Sequence, residues 1–452
     1  EDAEQPLVTD ENGKVRVSIV MEQESTLEKM DYQTTHLAQN AEAMAYRTSL
    51  EREHATMEAQ ISRTIGHRLE VAWNLTLAAN VISAWVAPEE MEAIAKLPGV
   101  KQVVPETRYE PCDAEAGTVQ PQLATSSPMI GADAAWAAGY TGKGQRICIV
   151  DTGLDTDHQS VDEGAFLYAL GEDSANLMTQ ADVAAVLKQL NIYKGYANST
   201  GQIISDKELT ADRLYVSAKI PFGYNYVDRN LDVTHDNDRQ GGHGSHVAGI
   251  AAGNRYVPDG KGGYADAATS ALSLGVAPDA QILVMKVFGA TGGGYTSDMV
   301  VAVEDALLLG CDSINMSMGS TVAGFTDAGP YQQVFERLAQ SDTIISISAG
   351  NAGAWPEKSG HGYLYAEDVN LQTAAEPGTH DAALTVASVE NDGMIASTFA
   401  VGQTLVPYCE ELGEGGFDTF ASLDTSRDGK GTELDYLFLD SYGVSADYSG
   451  IN

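Results

Sequence analysis

Five short apolar runs, at residues 146–150, 281–287, 311–317, 343–348 and 384–389, recur along the chain with helix-forming sequence between them. Strands that alternate with helices in this way predict an α/β fold, a parallel sheet covered by helices on both faces. Between the second and third runs, Thr296 can cap a helix whose Met299, Val300, Val303, Ala306 and Leu307 form an inward stripe ending at Gly310. At 452 residues the chain is too long for one compact domain, so a smaller companion is expected. No internal repeat of the solenoid type is present.

The companion is expected at the start. Residues 15–20 alternate like a strand, 27–65 are polar and helix-favouring, and 71–77 form a second strand. Then comes ANVISAWVAPEEMEAIAKLPGVKQVVPE, residues 79–106, in which Pro88 opens a short helix with Met91, Ile94 and Leu97 on one face and Pro98-Gly99 as its stop. Two strands flank that helix, so the outline is a small α+β open-faced sandwich. From 107 to 129 periodicity is lost and Pro111, Gly117, Pro121 and Pro128 accumulate, the composition of an exposed linker open to proteolysis.

Sixty-four acidic side chains against 26 basic ones give a formal charge of −38, which disfavours nucleic acid or an anionic membrane surface as a partner. Cys112, Cys148, Cys311 and Cys409 lie far apart, two of them in apolar runs, and are expected as packed thiols with no disulfide framework. No apolar stretch is long enough to span a bilayer. The acidic opening EDAEQP suits a chain whose leader was removed, and the last residues, Ser449 to Asn452, read as a cut inside a domain.

The run at 146–150 leads straight into Asp151-Thr152-Gly153, which puts a carboxylate at the end of a buried strand, the edge where ligands collect in open α/β sheets. Alone, such an Asp is a cap or turn residue. His243, in Gly241-Gly242-His243-Gly244-Ser245-His246-Val247-Ala248-Gly249, enters a helix of very small residues, whose N-terminus disfavours an imidazolium and favours a neutral base. Helix-borne zinc pairs usually stand four apart with a Glu between them, so His246, three residues on, is expected as a packed neighbour and not a ligand. After the run at 343–348, Ala349-Gly350-Asn351-Ala352-Gly353 sets an amide at a strand end, where it can donate to an oxyanion; losing such a donor costs about 10²–10³ in turnover. Alone, that Asn is a left-handed turn residue. Asp, His and Asn at one sheet edge are harder to explain structurally.

VDTGLD, GGHGSHVAGIAAG, INMSMGS and ISAGNAG, in that order, resemble the Asp, His, substrate-strand and oxyanion blocks of the subtilisin-like serine proteases, and the resemblance covers residues 130–400. It implies that Asp151 orients the imidazole, His243 is general base and then acid, and Asn351 is the oxyanion donor. Ser317, Met318 and Gly319 would form the edge strand that pairs with an extended substrate, and Ala349 with Gly350 would line the pocket beside the cut. Residues 79–106 resemble the end of the family's propeptide, an open-faced sandwich that blocks its own protease, so the chain is expected as a zymogen with its propeptide as intramolecular inhibitor. Residues 383–391 and 401–452, the segment KIPFGYNYVD at 219–228 and a helical insertion at 178–190 are similar to lactocepin-type cell-envelope proteinases. The implied domains are a propeptide at 1–107, a linker or processing region at 108–129, a catalytic domain at 130–400, and the opening of a protease-associated β-rich insert at 401–452.

The family's Gly-Thr-Ser-Met-Ala block is missing, and Ser317, Ser348, Ser397 and Ser449 lack its flanks; Ser397 and Ser449 read as loop or edge hydroxyls. The nucleophile is therefore expected downstream or on a second chain. The function implied is a secreted or cell-surface serine endopeptidase acting on polypeptides through an acyl-enzyme. A noncatalytic peptide-binding relative is the alternative, and a metal-dependent hydrolase ranks third. The chemistry needs no cofactor, and a structural calcium is implied by resemblance only. Asp424, Ser426, Asp428, Thr432 and Asp435 imitate a calcium loop, but Asp stands where Glu closes such loops and Gly431 replaces an apolar residue, which favours a solvated turn. Asp232, Asp236 and Asp238 could be calcium ligands or a wet loop, and the loop is preferred. The sequons at Asn74 and Asn198 are assigned no role.

Overall fold

The computed structural model describes residues 9–109, 123–171, 176–195, 209–236, 238–239, 241–270, 274–319, 330–350, 374–380, 383–389, 397–401 and 404–408. The chain forms two compact units, one of residues 1–113 with 121–394 and one of 114–120 with 395–452.

The first unit begins with the expected sandwich. Strands β1 (Val15–Met21), β2 (Glu70–Leu75), β3 (Val81–Val86) and β4 (Val100–Pro105) form an antiparallel sheet in the order β2-β3-β1-β4. The long helix is shorter than its composition suggests. Asp31, Tyr32 and His36 adopt positive φ, so the path from 27 breaks into a turn of helix at Thr26–Lys29, a 3-10 turn at Leu37–Gln39 and a helix at Ala41–Ile65. Asn40 caps that helix by accepting from the N–H groups of Glu42 and Ala43, and Gly66 at φ 81° ends it. Met57 and Ile61 then pack with Val17, Ile19 and Ile82 of the sheet.

The α/β layer follows. Strands β6 (Arg146–Asp151), β7 (Phe222–Asn225), β10 (Gln281–Lys286), β12 (Ser313–Met316), β13 (Ile344–Ser348) and β14 (Leu384–Val386) form one parallel sheet in the order β14-β13-β12-β6-β10-β7. The five apolar runs are all in it, and β7 is an addition. The order reverses at β6, with later strands laid on both its sides, so the carboxyl end of β6 opens on a switch point. Cys148 and Cys311 are buried free thiols, as expected; Cys112 and Cys409 lie outside the described residues. The insertion supplies a helix at Gln180–Val186, capped by Thr179. Among the described residues, no helix is long and apolar enough to cross a membrane.

The helix Thr296–Leu308 carries its apolar stripe against the sheet, but every one of its residues is buried, because the N-terminal sandwich covers the opposite face. Thr296 is its first residue and not its cap. Asp298 accepts from the Tyr295 N–H, while the Thr296 hydroxyl donates to the Thr107 carbonyl. That contact belongs to a strand where an unpaired linker was expected: β5 (Arg108–Tyr109) pairs antiparallel with β11 (Gly294–Tyr295). A helix at Leu123–Met129 also lies within the expected linker. The unit is completed by a hairpin of β8 (Tyr256–Pro258) and β9 (Tyr264–Asp266).

The described part of the second unit is an antiparallel hairpin of β15 (Ser397–Val401) and β16 (Thr404–Tyr408). Ser397 opens β15, and the boundary placed between 400 and 401 falls inside that strand.

Candidate active site

Asp151 is the last residue of β6 and is buried. Its Oδ1 accepts from the Thr152 N–H at 2.7 Å and lies 2.7 Å from His243 Nδ1. The carboxylate thus fixes one ring nitrogen and leaves Nε2 as the imidazole's working edge. His243 opens the helix His243–Ala252, where its side chain is 17 % exposed.

Small residues make this approach possible. A Cβ on Gly244 would stand 2.1 Å from the Gly153 carbonyl oxygen and 3.1 Å from Asp151 Oδ1, so only glycine lets the helix start sit on the end of β6. Thr152 fastens the contact by accepting the Gly244 N–H on its hydroxyl at 2.9 Å. The same helix buries Ala248 and Ala252, at i+4 spacing from Gly244. His246 lies off that stripe and is exposed, so the expectation of a packed neighbour is corrected.

The loop that delivers His243 is anchored by a buried charge. Lys286, at the end of β10 and in register with Asp151, donates to the Thr234 carbonyl at 2.5 Å and pairs with the Asp238 carboxylate. Both side chains of that pair are almost fully buried. Leu154 N–H bonds the Val233 carbonyl at 2.8 Å, tying the segment after Asp151 to the same loop. Sequence reasoning did not single out Lys286, although a lone cation in an apolar strand was a usable signal. Of the acidic residues ahead of His243, Asp238 pairs with Lys286, and Asp232 accepts from the N–H and hydroxyl of Thr234. The calcium-like run at 424–435 lies outside the described residues.

Ser317, Met318 and Gly319 continue from β12, and Ala349 and Gly350 from β13, on the carboxyl edge that holds Asp151. Met318 is buried, with its carbonyl accepting from the Ser348 hydroxyl at 3.1 Å, and Asn315 Nδ2 donates to Ser317 Oγ at 2.9 Å. Gly319 and Gly350 meet around Ala375: a Cβ on either would lie 2.4 or 2.7 Å from the Ala375 Cβ. Ala349 N–H donates to the Val386 carbonyl and Ala375 N–H to the Ala349 carbonyl. Asn351 lies outside the described residues.

Residues 142–427 match the model of the subtilase family. The chain is 30% identical over 330 residues to the PII-type proteinase of Lacticaseibacillus paracasei, covering 71% of this chain and 15% of that protein. It is 30% identical over 332 residues to the PIII-type proteinase of Lactococcus lactis subsp. cremoris, covering 71% and 14%. It is 26% identical over 321 residues to the minor extracellular protease Vpr of Bacillus subtilis, covering 70% and 29%. The chain spans about 15% of the length of the first two relatives. With an aspartate and a histidine paired at the switch point of a parallel sheet, and more than half of its residues matched by the family model, this chain belongs to the subtilase family.

Proposed function

We propose that this chain carries the acid–base half of a serine endopeptidase that hydrolyses peptide bonds through an acyl-enzyme. The observation that supports it most directly is the 2.7 Å contact between His243 Nδ1 and Asp151 Oδ1 at the carboxyl edge of the sheet. Asp151 holds the ring with Nε2 outward. His243 takes the proton of a serine supplied by sequence outside residues 1–452 or by a second chain, then returns it to the leaving amine. Asn351 donates to the oxyanion. Ser317 to Gly319 pair with an extended substrate, and Ala349 and Gly350 wall the pocket beside the cut.

In the same reading the sandwich is a propeptide, residues 108–129 contain the processing region, and the chain is a zymogen inhibited by its own N-terminal domain. The contact of that sandwich with the 296–308 helix supports this. The chemistry runs without a cofactor, and a calcium ion would serve structure alone. One relative is an extracellular protease, which supports a secreted or cell-surface location for this chain.

A serine-directed fluorophosphonate applied to the processed full-length protein is expected to label it, and His243→Ala to abolish the labelling. Labelling that survives that substitution would overturn the mechanism.

A further inference from the structure

Segments far apart in the chain close on one buried amide. Beyond its helix the insertion runs on through 3-10 turns at Leu187–Gln189 and Asn191–Lys194. Asn191 is 1 % exposed. Its Oδ1 accepts from Arg47 Nη2, on the sandwich helix, at 2.9 Å, and its Nδ2 donates to Glu304 of the 296–308 helix at 3.2 Å. Glu304 in turn accepts from the backbone of the sandwich, at the N–H groups of Leu77 and Ala78. The sandwich, the insertion and the α/β layer are thus joined around a single side chain.

Arg47 is the sandwich's half of that contact. It is buried, and its guanidinium donates to the Gln189 carbonyl and Asn191 Oδ1 of the insertion and to Thr76 Oγ1 of its own domain. A planar fork that serves several acceptors at once is a geometry lysine does not reproduce. At the rim, Lys194 of the insertion pairs with Glu51, one helical turn beyond Arg47, at 2.9 Å. The insertion is fixed from its other side as well: Asp305 accepts the Asn191 and Ile192 N–H groups at 2.6 and 3.4 Å. Its acceptors are therefore held on the α/β layer by bonds that do not involve Arg47.

The two kinds of contact carry different information. Glu304 takes main-chain N–H groups, which a sandwich of any sequence presents. Gln189 and Asn191 accept from a side chain, and that donor is specific to this sandwich. We propose that the insertion at 178–194 is the surface that recognises this chain's own N-terminal domain, and that the Arg47–Asn191 contact sets how long the domain stays bound once the segment joining it to the α/β layer is cut. The inference rests on the reading of the sandwich as a propeptide. Removing either partner leaves the other buried without its bond for as long as the complex lasts. The expected shortening of the bound lifetime is about 10- to 100-fold, the range for a hydrogen bond to a charged group, because such losses act mainly on the dissociation rate.

The test uses the full-length protein, nicked between residues 110 and 122 by brief elastase treatment, for which Ala114, Ala116 and Val119 are suitable sites. The half-life of the complex is read from the fraction of N-terminal fragment that still coelutes on size exclusion as time passes. Arg47→Met and Asn191→Leu should each shorten it about 10- to 100-fold, and the double variant should fall short of the product of the two, since both remove the same contact. Arg47→Lys, which keeps the charge but not the fork, should shorten it about 2- to 10-fold and serves where the larger changes do not fold. Lys194→Ala removes only a rim pair and should shorten it less than about fivefold. Half-lives of Arg47→Lys and Asn191→Leu no shorter than the parent's overturn the proposal. So do single effects that multiply in full in the double variant, and so does a parent fragment that separates at the first elution. Failure of the peptidase reading looks different: the unnicked protein neither cuts itself nor incorporates fluorophosphonate, while the nicked complex still reports on the insertion.

Discussion

Arg16 in β1 and Asp298 in the first turn of the 296–308 helix form a two-point ion pair, Nη2 to Oδ1 at 2.7 Å and Nη1 to Oδ2 at 3.1 Å, with both side chains buried. Trp73 Nε1–H donates to the same Oδ1 at 2.7 Å, and the guanidinium lies 4.9 Å from the centre of the Tyr295 ring. Two turns further on, Glu304 accepts the N–H groups of Leu77 and Ala78 at 2.9 and 2.8 Å. The outward face of the helix is therefore a row of carboxylates, each satisfied by a donor of the sandwich. Directional bonds of this kind offset the desolvation of the charges only when every partner is in place.

Removing one partner should expose that dependence. Asp298→Ala removes the two-point carboxylate from the buried Arg16 guanidinium and leaves it Glu106 at 3.3 Å, and the expected loss is about 1.5–3 kcal/mol of unfolding free energy, the range for hydrogen bonds to a charged group. Urea denaturation of the two proteins measures it. A loss below about 1 kcal/mol would mean that the pair behaves as an exposed surface bridge does.

Gly244→Ala sets two effects of opposite sign against each other. In a helix interior alanine is favoured over glycine by about 1 kcal/mol. Here the added methyl stands 2.1 Å from the Gly153 carbonyl, a backbone atom that cannot swing away. Overpacking typically costs about 1–3 kcal/mol and here also pushes the start of the His243 helix off Asp151. The variant should melt at a lower temperature than its parent and, in the full-length protein, react with fluorophosphonate at least about tenfold more slowly, because a 1 Å misplacement can cost about 10²-fold.

Lys219 gives the fold a pH dependence whose sign is fixed. Burial is the main cause that brings its ammonium down from 10.5 to about 7, with Asp279 opposing the shift. Between these values the unfolded chain binds the proton and the folded chain does not, so stability rises with pH across that window and the penalty is complete below about 7. Lys219→Met should remove this rise. Its own cost is the loss of two hydrogen bonds, to the Pro278 and Ala280 carbonyls, which is independent of pH. Urea denaturation of both proteins at pH 7, 8 and 9 separates the two, since the difference in stability between parent and variant should change steadily in the parent's favour as pH increases.

The sheet was legible because strands buried on both faces are written as continuous apolar runs, and Asp151 and His243 because their flanking glycines and small residues are required by contacts at 2.1 to 3.1 Å. Strand β7 was less so: its four residues include Gly223 and Asn225, which break an apolar run. The burial of Ser297, Asp298 and Glu304 could not be read from their own segment, since a polar face on an amphipathic helix ordinarily meets water. Only the folding of residues 15–105 over it makes that face an interior. The same reason hid β5, because a two-residue strand has no period and exists through its partner at 294–295.

Lys286 and Asp238 test how much the site depends on the loop that precedes His243. Lys286→Met leaves the Asp238 carboxylate buried without its ammonium, an expected cost of about 3–5 kcal/mol, and frees the Thr234 carbonyl from its donor. The loop so released ends at His243, so the rate of fluorophosphonate labelling in the full-length protein should fall with the stability. Adding Asp238→Asn removes the orphaned charge, and the double variant should be more stable than Lys286→Met alone, with a coupling energy of about 0.5–3 kcal/mol between the two sites. Lys286→Arg keeps the charge but not the length or shape of the ammonium arm, and should recover stability better than labelling rate. If the two substitutions prove additive, the loop is held by other contacts and Lys286 is no positioning residue for His243.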